Sequence, residues 1–457
     1  MTGATHDRED DRVTATKPDR TDKVPWWRPV AIYLGIASVV WVTVYLAGRY
    51  LPREYLYARR YNPGGGPLIE RWMRWDASWY REIVRHGYRY YPGVQSSVAY
   101  FPAYPLAIAA VAWAFPSIAA AGVFVTVASA VGASLLFYRW CVARMSPSHA
   151  ITALVVLLVF PYSWYLYGAV YADAFFLLVV LTAFVLAERD HLWLAGLAGF
   201  VATASRPTGI AVAIGLVLVV VERRNLAATA PATVTPVATG APTSAPGPAL
   251  GDMTAAPPAA TDVTATAGTS ARGGLAGFGD ELRRRFDPRA FSWSAAPLLL
   301  AFGGLVAWSS YLWVRFNDPL LFVHIESQWG QGAGVRTWLK FEFFYQMHLV
   351  PHSLFSAGLI FHAIAGIGAL LLVPRVARRF GWAYGAYVLL VMGIPVLGTK
   401  DFMSCARYLL AAFPVFAVVG DWLAERDSPL VRNLWVGVSF VLLIGFAALW
   451  SMGKYLS

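Results

Sequence analysis

What this chain is short of narrows it first. Only 14% of its 457 residues are charged, against about 25% in an ordinary soluble domain. With 58% apolar residues and a mean hydropathy of +0.51, that deficit argues against a water-soluble globular protein and predicts a chain solvated mostly by lipid. Cysteine is nearly absent. Cys141 and Cys405 are too few for a disulfide framework or a metal-binding spacing. The topology argued below sets them on opposite sides of the membrane, so they are not expected to pair. No Gly-rich phosphate loop, serine-hydrolase elbow or Asn-x-Ser/Thr sequon occurs. His324, His348 and His352 are scattered through one Trp-rich loop without a close carboxylate or a second His at i+4, so no metal is expected. No cleavable leader is expected: a mixed-charge tail precedes the first apolar run, which is expected to act as a signal anchor.

Positive charge is the exception to this scarcity, with a formal net charge of +11. The basic residues gather at the ends of apolar runs, as in Arg223-Arg224, Arg283-Arg284-Arg285, and Arg375 with Arg378-Arg379. That is the positive-inside pattern. They form neither one patch nor an RNA-binding motif, so nucleic acid is not an expected partner.

Apolar runs near 30–48, 98–115, 118–138, 149–165, 169–187, 192–205, 207–222, 295–316, 353–373, 381–399, 407–423 and 432–452 predict helices. Several reach the roughly 20 residues that cross a bilayer core. Two polar segments interrupt them. Residues 49–97 are rich in Arg, Tyr and Trp. Residues 225–277 are an Ala/Pro/Thr/Gly tract that cannot bury enough apolar surface to offset its ordering entropy. The expected organisation is a disordered cytoplasmic tail (1–25), an N-terminal membrane module (26–224) with its first outer loop at 49–117, a disordered cytoplasmic linker (225–290), and a C-terminal membrane module (291–457) with an outer loop at 317–352. Parity of crossings then decides one run. Loop 49–97 lies outside and Arg139–Arg144 inside, so only one of the two intervening runs crosses. Tyr100-Phe101-Pro102-Ala103-Tyr104-Pro105 opens 98–115 with prolines and interfacial aromatics, which suits a surface helix. About eleven crossings remain, with the N-terminus cytoplasmic.

The densest constellation of reactive side chains runs from Arg71 to Tyr88. Trp72, Trp75, Trp79 and Ile83 recur at three- and four-residue spacing, which predicts a short amphipathic helix ending at Gly87, with its apolar face on the membrane surface. Asp76 and Tyr80 are neighbours at i, i+4. A carboxylate among Trp and Arg could act as a general base toward a hydroxyl, and nearby guanidinium groups could hold a phosphate. The same spacing also fits a plain interfacial helix with Trp anchors. Asp173 falls at the outer end of a span, where an ionisable group is costly unless paired or wetted; it could instead cap the helix that it begins. Arg206, Lys400 and Arg407 lie on the same side, against the positive-inside trend. They fit either a lipid phosphate or internal ion pairs with Asp76, Asp173 or Asp401.

Taken in order, these blocks resemble a known family. Trp75-Asp76-x-x-x-Tyr80-x-x-Ile83-x-x-x-Gly87-Tyr88 followed by Tyr100-Phe101-Pro102-x-Tyr104-Pro105 is similar to the first-loop signature of the PIG-V mannosyltransferases. Val170-Tyr171-x-Asp173, Ser205-Arg206-x-Thr208-Gly209, and Asp318-Pro319-x-x-Phe322 with Gln328-Trp329 resemble later blocks, although the family more often has Ser-Glu where this chain has Ala172-Asp173. The Arg/Ala-rich composition suits a bacterial, actinobacterial-type member. The resemblance implies an all-α polytopic fold of the GT-C class of membrane glycosyltransferases, with surface helices in the first outer loop. It implies a polyprenyl-phosphate mannose donor, an extracytoplasmic glycolipid, lipid-linked glycan or secreted protein as acceptor, and no cofactor or essential metal. Asp76 becomes the catalytic base, and Trp75, Tyr80, Asp173, Arg206, Lys400, Arg407 and Gln328 become substrate-binding candidates. A lipid or glycolipid transporter and a noncatalytic envelope scaffold remain the other readings of the residues themselves.

Overall fold

The computed structural model describes residues 25, 27–52, 66–229, 275–332, 334–351, 353–426 and 428–456. His352 and, apart from Pro25, the N-terminal tail expected over 1–25 lie outside them. Each predicted apolar run contains a helix, and no strand occurs among the described residues. Local chemistry sets several of the boundaries. Ser117 and Ser353 begin Ile118–Val142 and Leu354–Leu371, each accepting a bond from an amide three residues on. Ser146 does the same for Pro147–Val159, where Pro147 occupies the first turn without wasting a donor.

Five helices are long and apolar enough to cross a membrane: Trp27–Tyr50, Ile118–Val142, Trp293–Phe316, Leu354–Leu371 and Pro429–Ser451. The chain is therefore a multi-pass membrane protein. A sixth span arises if Cys405–Ala411 and Phe413–Ala424, bent by 84° at Ala412, are taken together. Pro414 in the first turn of the second arm suits the break, since it has no amide to bond the Leu410 carbonyl across Ala412 and its ring would crowd that carbonyl in a continuous helix. The remaining apolar helices are shorter or carry charge. Ala103–Ala112, inside the run 98–115, has ten residues, about 15 Å of helix against a hydrocarbon core of about 30 Å.

Small residues let the helices approach closely. A Cβ on Gly304 would lie 2.0 Å from the Phe200 carbonyl oxygen, and one on Gly420 would lie 2.3 Å from Ala153 Cα. These contacts draw Gly303–Phe316 against Leu192–Thr203, and Phe413–Ala424 against Pro147–Val159.

The basic end of the bundle is bound by carboxylates, two of them, Asp421 and Glu222, buried. Glu188 takes Arg144 and the Tyr384 hydroxyl. Asp421 takes His149 Nδ1 and Arg379 Nε, each at 2.7 Å. Glu222 accepts from Arg285 Nη1 at 3.2 Å and from the amides of Trp382 and Ala383 at 2.9 and 2.8 Å, capping helix Trp382–Gly398. That arrangement corrects part of the expected linker. Within 225–290, residues 225–229 continue helix Gly209–Thr229, and Leu275–Arg285 is a helix. The latter is free of proline and is stabilised by the i, i+4 pair Glu281–Arg285 and the bond to Glu222. The middle of the linker, 230–274, lies outside the described residues.

Candidate active site

Helix Asp173–Glu188 orders the molecule. Its last residue belongs to the basic end just described, and its first, about 22 Å away at 1.5 Å per residue, belongs to a second charged cluster. Asp173 does not cap its helix. Its Oδ2 lies 2.6 Å from Arg206 Nη2 and its Oδ1 3.9 Å from Arg407 Nε. Arg407 Nη1 continues to Asp76 Oδ2 at 3.6 Å. Two carboxylates and two guanidiniums thus alternate as Asp76, Arg407, Asp173 and Arg206, a ladder whose formal charges cancel. Neutrality is what makes a cluster this buried affordable.

The two acids of the ladder differ in their access to the surface. The Asp173 side chain is 1% exposed, whereas that of Asp76 is 30% exposed. Asp76 opens on a cavity of about 450 Å³ lined by Met73, Trp75, Asp76, Ser78, Trp79, Gln95, Trp329 and Tyr455. Backbone geometry aims it there. Trp75 has φ +51°, a left-handed conformation that costs a β-carbon residue of order 1 kcal/mol. Immediately after this turn, Ala77–His86 begins, and the Asp76 amide donates to Tyr171 Oη at 3.0 Å.

Burial raises the Asp76 carboxyl above the usual carboxylate range, opposed by the Arg407 charge and by hydrogen bonds from Tyr100 and Arg407. Glu326 is pushed up to about 7, first by burial and then by the negative charge of Asp76. Both carboxyls therefore titrate nearer neutrality than an exposed acid.

The expected site residues divide by position. Asp76, Asp173, Arg206 and Arg407 meet in the ladder, and Trp75 lines the cavity. Helix Ala77–His86 ends at Gly87, which has φ +72° and donates to the Ile83 carbonyl. Its buried positions Ala77, Tyr80 and Ile83 face protein, so the inward face is packed on the bundle rather than laid on lipid. Tyr80 accordingly departs from the expected pocket position: its ring packs edge-on against Tyr100 and Tyr104 at 5.3 and 4.9 Å. Trp79 takes the cavity wall instead. The backbone carbonyl of Gln328 accepts from Gln95 Nε2 at 3.3 Å, fastening the 317–352 loop to a cavity residue. Lys400 lies beyond it; a Cβ on Gly330 would stand 2.9 Å from Lys400 Nζ, and the Lys400 amide donates to Gln331 Oε1 at 3.1 Å. His324 finds a carboxylate that the spacing did not suggest, with Nδ1 2.7 Å from Asp318 Oδ2. Cys141 and Cys405 are both free and buried.

Tyr100, Glu326 and Tyr455 were not foreseen as site residues. Tyr100 lies in the Tyr-Phe-Pro block, so its sequence context was conspicuous. Tyr455 is separated from Trp75 by most of the chain, and only folding joins them.

No family model matches the sequence, and no curated protein does. Among solved structures, the chain is similar to the oligosaccharyltransferase of Archaeoglobus fulgidus. It matches the apo form at 13% identity and a TM-score of 0.42, covering 92% of this chain and 56% of that one. The complex of the same enzyme, AglB, with an inhibitory peptide and a dolichol-phosphate gives 13% identity and a TM-score of 0.41, over 93% and 56% of the two chains. The form tethered to an acceptor peptide gives a TM-score of 0.40 at 13% identity, over 94% and 56%. The chain thus spans little more than half the length of these structures.

Proposed function

We propose that this protein is an inverting membrane glycosyltransferase of the GT-C class. In this reading Asp76 removes the proton from an acceptor hydroxyl, which attacks C1 of polyprenyl-phosphate mannose from the face opposite the phosphate. The C1–O bond to phosphate breaks as the new glycosidic bond forms, and the lipid phosphate leaves with the bonding pair. The observation that carries the reading is the contrast between the two acids of the ladder. Asp173 is sealed between arginines, while Asp76 is held by Arg407 with its carboxylate facing an aromatic cavity. A base must be fixed and yet reach its substrate.

The same pairing supports a division of work among the cations. Arg206 and Arg407 are bound to the carboxylates of the ladder, so their work is to orient Asp76 and to neutralise Asp173. Lys400, beside Gly330 and Gln331 on the loop that carries Trp329, is the cation proposed to meet a departing phosphate. Trp75, Trp79 and Trp329 form the walls that receive a sugar, and Gln328 holds the loop that carries Trp329. The acceptor is a glycolipid, lipid-linked glycan or secreted protein, and no metal step is invoked. About eleven crossings, a cytoplasmic N-terminus and an extracytoplasmic cavity complete the proposal, supported by the Arg-rich end lying at the other end of helix Asp173–Glu188. The PIG-V-like motif order supports the mannose donor.

One observation favours a second reading. The bent pair around Ala412 carries Arg407, and discontinuous helices bearing charge also mark lipid or ion transporters. Purified wild-type and Asp76→Asn proteins separate the two. A glycosyltransferase loses hexose transfer in the variant, whereas a transporter moves lipid across reconstituted vesicles and transfers no hexose.

A further inference from the structure

Beyond helix Pro429–Ser451 the chain turns at Gly453, whose φ is +87°, and residues 452–456 return over the site as a strap. The amide of Gly453 donates to the Trp450 carbonyl at 2.9 Å and that of Lys454 to the Leu449 carbonyl at 3.0 Å, so the turn is tied to the helix end. Trp450 Nε1 donates to the Arg71 carbonyl at 3.1 Å, and Arg74 Nη2 to the Ser451 carbonyl at 3.3 Å. The end of the helix from which the strap departs is thus registered against Arg71 and Arg74.

Its last two described residues have opposite fates. Tyr455 walls the cavity and is 42% exposed, with its ring 4.6 Å from that of Trp75 at an interplanar angle of 65°. Leu456 is buried, and its carbonyl lies 2.8 Å from Tyr162 Oη and 3.0 Å from His362 Nε2. On its other side, His362 Nδ1 takes the Ala406 amide at 3.2 Å. A backbone amide can only donate, so Nδ1 is the acceptor; in the neutral ring the proton then sits on Nε2 and goes to Leu456. One buried imidazole therefore joins the strap to the residue preceding Arg407, which in turn reaches Asp76.

We propose that Tyr455 is a specificity residue that stacks on the acceptor sugar, on a strap whose position His362 locks to the short helix bearing Arg407. Ring and base share one wall: Tyr455 touches Trp75, the residue before Asp76, and the acceptor hydroxyl must lie against Asp76. The cation available to the donor phosphate, Lys400, stands on the Trp329–Gly330 side. The ligand class is a pyranose, whose C–H face meets an exposed aromatic ring while its hydroxyls reach Asp76 and Gln95.

The proposal rests on the glycosyl-transfer reading, and its test keeps the two separable. Kinetics use the full chain, polyprenyl-phosphate mannose and, as acceptor, the species of a membrane lipid extract that gains a hexose with the wild-type protein. Tyr455→Ala should raise the acceptor KM about tenfold, with the donor KM and kcat nearly unchanged, while Tyr455→Phe should keep the wild-type KM. An unchanged acceptor KM in Tyr455→Ala, or an equal rise in Tyr455→Phe, overturns the stacking role. His362→Gln preserves a donor near Nε2 and should lower kcat through Arg407 while sparing KM. His362→Asn preserves an acceptor near Nδ1 and should raise the acceptor KM. The reverse pattern, or identical defects in both, overturns the coupling. If wild-type protein transfers no hexose, the glycosyl-transfer reading fails by itself. Tyr455 is then read by tryptophan fluorescence during titration with octyl mannopyranoside, a pyranose probe that needs no transfer activity. A saturable change in wild type and Tyr455→Phe that is lost in Tyr455→Ala upholds the contact, and its persistence in Tyr455→Ala sinks it.

Discussion

Asp76 and Asp173 are the same residue type two contacts apart in one ladder, joined through Arg407, and their surroundings give them different work. Asp173 touches arginines and little else, so its removal leaves buried positive charge without a counterion. Asp76 keeps one face on the cavity. Asp76→Asn should therefore lower transfer by about a hundredfold or more while leaving membrane insertion intact, because the amide cannot take a proton from the acceptor. Its pH dependence has a definite sign. The base must be ionised, and burial raises its carboxyl above the usual value of about 3.9, so kcat/KM should fall on acidification through that raised value. The Tyr100 hydrogen bond pulls the other way, favouring the charged form. Tyr100→Phe should move the acid limb of the profile to higher pH. A limb that stays in place or moves down would show that Asp76 is not the titrating base.

At the scale of the element, two devices position this ladder. The first is the break at Ala412, which ends the short helix Cys405–Ala411 and sets Arg407 beside both acids. The apolar run 407–423 was expected as one helix, and the break was not foreseen although Pro414 lies just beyond it. The second is close helix packing through glycine. Gly304→Ala forces a methyl against the Phe200 carbonyl and should cost about 1–3 kcal/mol, measured as lowered thermal stability of the purified protein in detergent. Glu222 serves the other end of the bundle. Glu222→Ala removes both the cap of Trp382–Gly398 and the partner of Arg285, so a loss of at least about 1–2 kcal/mol is expected. Substitution by Asp, which restores the charge on a shorter stem, should recover part of that stability in the same measurement.

For the molecule as a whole, helix positions were legible because lipid-facing and core residues alike must be apolar, and that signal survives in a single sequence. The first loop was legible in type, as a short helix closed by Gly87. Its burial was not, since Trp72 and Tyr80 read equally well as interfacial anchors. The ladder was half legible: Asp76, Asp173, Arg206 and Arg407 all stood out as charges in costly places, but their mutual pairing is a property of three dimensions. Tyr455, Glu326 and His362 gave no local signal, since their partners lie far along the chain or in another element. Both ends of the 230–274 tract are held separately, Gly209–Thr229 in the bundle and Leu275–Arg285 on Glu222. Shortening that tract should leave transfer within about twofold, since loop length enters closure entropy only logarithmically. Assaying a deletion of residues 235–270 checks this.

The central claim is that Asp76 makes the open end of the ladder a glycosyl-transfer site. Its most direct test incubates purified wild-type and Asp76→Asn proteins with polyprenyl-phosphate mannose and a membrane lipid extract, and follows the products by mass spectrometry. The account predicts a product heavier by one hexose with the wild-type protein and almost none with the variant. Equal hexose transfer by a properly inserted Asp76→Asn protein, or none by the wild type, would contradict it.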